Sequence, residues 1–83
     1  MRLGTITGNV WATRKEDGLT GLKFLFVQLE DTRIIAVDRI GSGIGDRVIV
    51  TMGSAARLIE VDKDLPIDAV VIGIVDSIDE ESR

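Results

Sequence analysis

Acid–base catalysis in this sequence would have to rely on carboxylates and lysines, because the chain has no histidine, cysteine or tyrosine. The candidates are Asp38, Asp68, Asp76, Glu60 and Lys23. Asp38 and Asp76 stand near the ends of two apolar stretches and are the best candidates for a carboxylate pair. Aspartates at such positions also end strands or cap turns through side-chain hydrogen bonds, which is the more economical interpretation. We therefore predict that the protein is not an enzyme and has no catalytic residue.

The sequence also lacks the residue types that usually bind transition metals. Zinc and transition-metal sites are usually built from histidine and cysteine, and neither residue is present. The absence of cysteine also rules out disulfides, which is compatible with a reducing cytosol. We predict no metal site, no cofactor and no cofactor-binding residue.

Three alternating glycines, Gly41, Gly43 and Gly45, precede a stretch of strand character at residues 47–52. A phosphate-binding loop would need a lysine after the last glycine and a helix beginning there, and this segment has neither. Glycine accepts positive φ and lets another backbone approach closely. We predict that the three glycines, which can take positive φ, form a sharp turn or a crowded contact between subunits.

The overall charge argues against nucleic acid as a partner. The chain has 14 acidic and 10 basic residues and a formal net charge of −4. Such a surface repels phosphates. Hydrophobic residues make up 45% of the 83 positions, which is a large share because a small domain has much surface per residue. We expect some of this apolar area to be buried between chains.

The length of the chain predicts one domain that spans residues 1–83. The longest apolar run, residues 69–75, is too short to cross a bilayer, and no secretory signal follows Met1. We expect a soluble cytoplasmic protein that does not enter a membrane.

Alternating apolar residues predict five strands, at residues 4–13, 22–30, 33–38, 47–52 and 68–78. Ile6, Val10 and Ala12 form the expected core face of the first strand. In the second strand, Leu25, Val27 and Leu29 alternate with a face that is also partly apolar.

The connections between these strands carry their own signals. Residues 30–32 are typical of a hairpin link, and residues 60–64 of a charged loop. Residues 53–57 predict one helical turn with Ser54 as its N-cap. Gly73 marks a bend or bulge in the last strand.

Five short strands, closely spaced turns and one short helical turn predict an all-β fold, a small five-stranded OB-like β-barrel. The strands at residues 33–38 and 68–78 are apolar on both faces. One face fills the barrel, and the other requires cover from a neighbouring subunit. The alternative is a lone barrel whose second faces lie under its own loops.

An OB-like barrel also allows a second function, the binding of single-stranded nucleic acid through aromatic platforms in a basic groove. The aromatic residues are Trp11, Phe24 and Phe26. Phe24 and Phe26 share a strand face, but Glu30 and Asp31 follow closely and the molecule is acidic. Packing in the core or at an interface is therefore the favoured role for the two phenylalanines. Trp11 is either an interface anchor or a space-filling residue.

Arg57, after the helical turn, could pair with an acidic group of a neighbouring chain or with the end of its own helix. It belongs to a series of motifs that covers nearly the whole chain. The series consists of Gly8, Val10, Ala12 and Thr13; Gly21, Lys23, Leu25, Val27 and Gln28; Ala36, Val37 and Asp38; Gly41, Gly43 and Gly45; residues 53–57; residues 66–69; and residues 71–76. In this order, the motifs resemble the CcmL/EutN family, the pentameric vertex proteins of carboxysomes and other bacterial microcompartments.

The resemblance implies a structural shell protein that forms a five-fold disk at the corners of a polyhedral shell, with hexameric shell proteins in the flat facets. It implies a homo-oligomer, a pentamer, in a cytoplasmic microcompartment. A closed ring would bury two different apolar patches on every subunit. The runner-up is an acidic OB-like module that binds single-stranded nucleic acid or a protein partner. We expect the interface residues to be Trp11, Gly41, Gly43, Gly45, Ser54, Ala55, Arg57 and Asp76.

Overall fold

The computed structural model describes residues 1–13, 15–59 and 66–80 and contains a closed five-stranded barrel. The strands are β1 (Arg2–Val10), β2 (Lys23–Gln28), β3 (Arg33–Asp38), β4 (Arg47–Met52) and β5 (Ala69–Ile74). Two 3-10 turns, Asp17–Leu19 and Gly53–Ala55, and the short helix α1 (Ala56–Ile59) complete the regular structure of the described chain. The prediction of an all-β, OB-like barrel is confirmed.

The strands follow one another around the barrel in the order β1, β2, β3, β5, β4, with β4 closing back on β1. Every neighbouring pair is antiparallel except β3 and β5, which are parallel. β1 closes the barrel by pairing with β4 through Arg2 to Thr5 and with β2 through Thr5 to Val10. The first half of β1 therefore pairs with β4, and the second half pairs with β2.

The barrel interior is filled by the apolar residues that alternate along the strands. Leu25 and Val27 of β2 are fully buried, opposite Ala36 and Ile34 of β3. The interior cluster consists of Ile6, Leu25, Val27, Leu29, Ala36, Val48, Val50, Ala69 and Val71. Gly4 leaves room for it, because a Cβ at this position would overlap Val27 and lie 3.0 Å from the backbone oxygen of Gln28.

A second cluster of buried apolar residues lies on the outside of the barrel. Val37 of β3 pairs with Val70 of β5, and both belong to this cluster. Ala56 of α1 and Ile67 complete it, and Leu19, Leu22 and Phe24 pack against it. Part of the second apolar face of β3 and β5 is therefore covered by the chain itself, which is the alternative that the sequence left open.

Two local predictions are wrong in detail. β1 ends at Val10, so Ala12 is exposed beyond the strand instead of belonging to the core. Ser54 is not an N-cap, because it lies inside the 3-10 turn, which has Met52 before it and no side-chain cap bond. Gly53, at φ +64°, makes the turn that leads into this segment. The predicted loop at residues 60–64 lies outside the described residues.

The predicted irregularity at Gly73 is confirmed. Ile49 of β4 pairs with Gly73 and Val50 pairs with Val71, so Ile72 is an extra residue in β5. At four residues, α1 is far too short to cross a bilayer, and the described chain contains no other helix that could do so.

Candidate assembly surfaces

The loop between β3 and β4, residues 40–46, is held in place by two aspartates; it is called the glycine loop below. The Asp38 carboxylate accepts hydrogen bonds from the backbone N–H groups of Ile40, at 3.2 Å, and Ser42, at 2.9 Å. The Lys23 ammonium lies 3.4 Å from the same carboxylate and donates a 2.5 Å hydrogen bond to the carbonyl oxygen of Ser42. Asp38 is thus a buried residue whose oxygens are occupied by its own loop and by a cation. This is the turn-capping role that the sequence favoured over catalysis.

Asp46 organises the other half of the glycine loop. Its carboxylate accepts a 2.9 Å hydrogen bond from the Gly43 N–H, and its own N–H donates to the Gly43 carbonyl oxygen at 3.0 Å. The Gly45 N–H donates to Ile6 at 2.8 Å, which fastens the loop to β1. The glycine loop is therefore a fixed feature of the barrel surface.

The three loop glycines do not behave alike. Gly41 and Gly45 have φ values of +86° and +94°, a conformation that glycine accepts readily. Gly43, between them, does not have positive φ. A Cβ at any of the three would meet nothing within 4 Å in the same chain. Close approach of another backbone, if it occurs, must come from a second molecule.

Trp11 projects from the end of β1 and is 88% exposed. A groove of about 390 Å³ lies beside it, called the tryptophan groove, lined by Asn9, Val10, Trp11, Ala12, Lys15, Gly21, Leu22, Lys23 and Phe24. The Lys15 ammonium lies 5.3 Å from the centre of the Phe24 ring. Because Lys23 also binds the glycine loop, the groove and that loop lie at the same end of the barrel.

Ser54 and Ala55 are exposed in the 3-10 turn that follows β4. The turn is tied to the start of β5 by a 2.7 Å hydrogen bond from the Gly53 N–H to the Asp68 carbonyl oxygen. Arg57 has its backbone in α1, and its side chain lies outside the described part of the chain. Asp76 is exposed after the other end of β5, where the Val75 N–H donates to Arg47 at 2.8 Å.

The predicted interface residues therefore fall into two groups. Trp11, the glycine loop and Asp76 lie at the end of the barrel where β4 begins, and Ser54, Ala55 and Arg57 lie where β4 ends. Since β4 has six residues, the two groups are about 20 Å apart at a rise of about 3.3 Å per residue. A ring joins two different surfaces of each subunit, which can lie at the same end or at opposite ends of the barrel.

Sequence reasoning missed an apolar strip on the outside of β1, β4 and β5. Leu3 lies opposite Ile49 in the antiparallel ladder, and the Ile49 Cδ1 atom lies 3.5 Å from the point where a Cβ of Gly73 would be. Ile72, the extra residue of the bulge, is 36% exposed beside them. These residues, Leu3, Ile49 and Ile72, are called the outer strip. Alternation predicts that Leu3 points away from the buried Gly4 and Ile6, so the signal was present in the sequence.

The outer face of β2 and β3 carries a different contact. The Arg33 guanidinium lies 4.6 Å from the centre of the Phe26 ring, and Ile35 pairs with Phe26 across the ladder. Phe24 packs against the second cluster. These contacts agree with the packing role favoured for both phenylalanines.

Arg2 and Asp31 form an ion pair on the surface of the barrel. The Arg2 guanidinium donates a 2.5 Å hydrogen bond to Asp31, and this bond lowers the pKa of the Asp31 carboxyl. Among the described residues, no group of three or more acidic side chains has the arrangement of a metal site.

Comparison with known proteins assigns these surfaces a context. The family model described as ethanolamine utilisation protein EutN/carboxysome matches residues 1–76. The carboxysome shell vertex protein CcmL of Gloeobacter violaceus is 37% identical over 100% of this chain and 90% of its own. The bacterial microcompartment shell vertex protein EutN of Escherichia coli is 35% identical over 94% of this chain and 90% of its own.

A solved structure extends the similarity to assembly. The pentameric shell protein from the RMM microcompartment superposes on this barrel with a TM-score of 0.87. The two chains are 39% identical, and the alignment covers 100% of this chain and 99% of the other. The similarity therefore includes every described element of the barrel.

Proposed function

Since the chain belongs to the EutN/CcmL family, we propose that it is a structural shell protein whose pentamers form the vertices that close a polyhedral bacterial microcompartment in the cytoplasm. The observation that carries this proposal is the similarity, over the whole chain, to a pentameric shell protein. The relatives named as shell vertex proteins support the same role.

The surface of the barrel supports assembly on physical grounds. Soluble monomers rarely expose contiguous apolar patches, yet the outer strip and the rim of the tryptophan groove are both apolar and accessible. The two are different surfaces, so joining one to the other creates a contact that repeats from copy to copy. If the rotation closes, such a contact produces a ring.

A ring of five has a geometric purpose in a shell. Sheets of hexagonal tiles stay flat, and five-fold positions introduce the curvature that closes them. We propose that the neighbours of this pentamer are hexameric shell proteins. The glycine loop, Trp11, Ser54, Ala55, Arg57 and Asp76 are the proposed contact residues, within a ring or toward the facets.

The proposed role is not enzymatic and does not involve nucleic acid. Asp38 is committed to its own loop and to Lys23, which leaves this carboxylate without a reactive position. The face that would serve as an aromatic platform has Phe24 in the second cluster and Phe26 under Arg33. The net charge of −4 also opposes phosphate binding.

Electron microscopy of a deletion strain tests the proposal. Without this protein, shell facets and enclosed enzymes should still form, but the compartments should be elongated or open, because the five-fold positions stay empty. Re-expression of the wild-type chain should restore closed polyhedra. Normal closed polyhedra in a deletion strain that encodes no other vertex protein would contradict the vertex role.

A further inference from the structure

The segment that follows β5 has an unusual composition for an exposed stretch. Residues 76–80 contain three acidic side chains, Asp76, Asp79 and Glu80, and one large apolar side chain, Ile78, which is 47% exposed. This stretch, residues 76–80, is called the acidic segment. Among the described residues, the last backbone hydrogen bond at this end of the chain runs from the Val75 N–H to Arg47. None of the residues of the acidic segment lines the tryptophan groove of its own chain.

The tryptophan groove has the complementary character. Its walls are the apolar side chains of Val10, Trp11, Leu22 and Phe24, and its charged lining residues within the described part of the chain are Lys15 and Lys23. None of the described lining residues is a carboxylate. A groove of about 390 Å³ is large enough for an isoleucine side chain with its flanking backbone.

The backbone beside the groove is also incompletely paired. The ladder between β1 and β4 covers Arg2 to Thr5, and Ile6 is the last residue of β1 bonded to the glycine loop. Beyond it, Gly8, Asn9 and Val10 pair with β2 alone among the described strands. An extended peptide can form main-chain hydrogen bonds with the unpaired backbone groups of such an edge. The edge therefore favours a peptide over a small molecule as the occupant of the groove.

We propose that the tryptophan groove of each subunit receives the acidic segment of the next copy in the ring, with Ile78 against Trp11 and Phe24 and the carboxylates beside Lys15. This inference rests on the proposed pentamer and specifies the contact that holds it together. The occupant is a second copy of this chain because the acidic segment and the groove are distinct surfaces, as a heterologous ring requires. Ile72, the member of the outer strip on β5, lies on the strand from which the acidic segment leaves, so the strip extends the same side of the contact.

Complementary variants test the contact. A groove variant, Trp11→Ser with Lys15→Glu, and a segment variant, Ile78→Asp, change exposed residues and should leave the barrel folded. Each should dissociate at a protein concentration at least about tenfold higher than the wild type does, because buried aromatic and apolar anchors dominate interfaces. Trp11→Phe and Ile78→Leu are the matched controls and should assemble like the wild type. Circular dichroism melts establish that all variants fold.

Mixing the two defective variants gives the sharper result. The groove variant keeps an intact acidic segment, and the segment variant keeps an intact groove, so one good contact remains between them. Native mass spectrometry should detect heterodimers, two copies of a 9.0 kDa chain, with neither variant forming dimers alone. A charge exchange provides a second readout: Asp79→Lys with Glu80→Lys should recover assembly of a Lys15→Glu chain.

The outcomes distinguish a failure of the groove contact from a failure of the vertex role. If the wild type is pentameric and both variants remain pentameric at the same concentrations, the groove contact is wrong and the vertex role stands. If both variants dissociate but their mixture contains no heterodimer, the pairing of these two surfaces is wrong. If the wild type itself is a monomer, the proposed function fails together with the contact.

Discussion

Two parts of the barrel exterior are both apolar, but only one is covered. On β3 and β5, Val37 and Val70 lie beneath Ala56 and Ile67, and both valines are buried. On β1, β4 and β5, the outer strip lies open to solvent, with Ile72 at 36% exposure two residues after the buried Val70. Both faces carry apolar side chains, and the difference between them is the cover that the rest of the chain provides. A covered face contributes to the stability of one subunit, whereas an open face contributes only when a partner covers it.

The largest expected effect separates the two faces directly. Val70→Asp places a charge in the covered second cluster and should cost about 4–5 kcal/mol, which is most of the stability of a small domain. Ile72→Asp, on the open face, should leave a folded barrel and reduce the fraction of assembled protein. Thermal melts and native mass spectrometry of both variants check this. A folded Val70→Asp chain, or an unfolded Ile72→Asp chain, would show that the distinction between the faces is mistaken.

The glycine loop provides the second test, because its anchors lie inside the subunit. Asp38→Ala removes the acceptor for two backbone N–H groups and leaves Lys23 without its carboxylate. We expect a loss of about 2–3 kcal/mol in the free energy of unfolding, since buried donors are left unsatisfied. Asp38→Asn, which keeps one acceptor oxygen, should lose less. Denaturant titration gives both values, and equal stability of Asp38→Ala and wild type would contradict the anchoring role.

Two glycines of the same loop extend the comparison at a smaller scale. Gly45→Ala must place a side chain at φ +94° and should cost about 1–2 kcal/mol. Gly43→Ala has neither positive φ nor a neighbour within 4 Å in its own chain, so its stability should change by less than about 0.5 kcal/mol. Measured losses in the reverse order would refute this difference. Loss of assembly by a fully stable Gly43→Ala chain would locate Gly43 at a contact between subunits.

The exposed Arg2–Asp31 pair should have the smallest effect. Its hydrogen bond lowers the pKa of Asp31 in the folded state below the usual value of 3.8. Any stability from this group is therefore present above that value and lost as the pH falls through the lowered folded pKa. Because the Asp31 side chain is 68% exposed, Asp31→Asn should not shift the melting temperature measurably at neutral pH. A clear shift in that melt would mean that the pair is buried by assembly.

Alternation and turn chemistry predicted much of the fold. β3 and β4 begin and end at the predicted residues, and the bulge beside Gly73 was expected from a glycine inside an apolar strand. These elements were predictable because their signals are local: apolar alternation along the strand, and a residue without a side chain at the irregular position.

The errors concern features that depend on a partner segment. The apolar pattern of β1 runs on to Ala12, but the strand ends at Val10 because its partner β2 begins nearby, at Lys23. Serine is a common helix cap, but Ser54 does not cap α1. Gly53 already turns the chain, and backbone groups make the hydrogen bonds at the start of α1. The sequence also did not show which apolar face would be covered. The cover comes from Ile67 and Ala56, which are remote in sequence from β3. For the predicted contact residues, the structure shows exposure and which residues lie at the same end of the barrel. Their contacts with other subunits stay a prediction.

Native mass spectrometry of the wild-type chain tests the central claim most directly. An open apolar face on a small acidic barrel of this family should be covered by the next copy in a closed ring of five. The expected species contains five copies of the 9.0 kDa chain, a mass of about 45 kDa, and it should persist at micromolar protein concentration. A 9.0 kDa monomer at that concentration, folded and without larger species, would contradict the account.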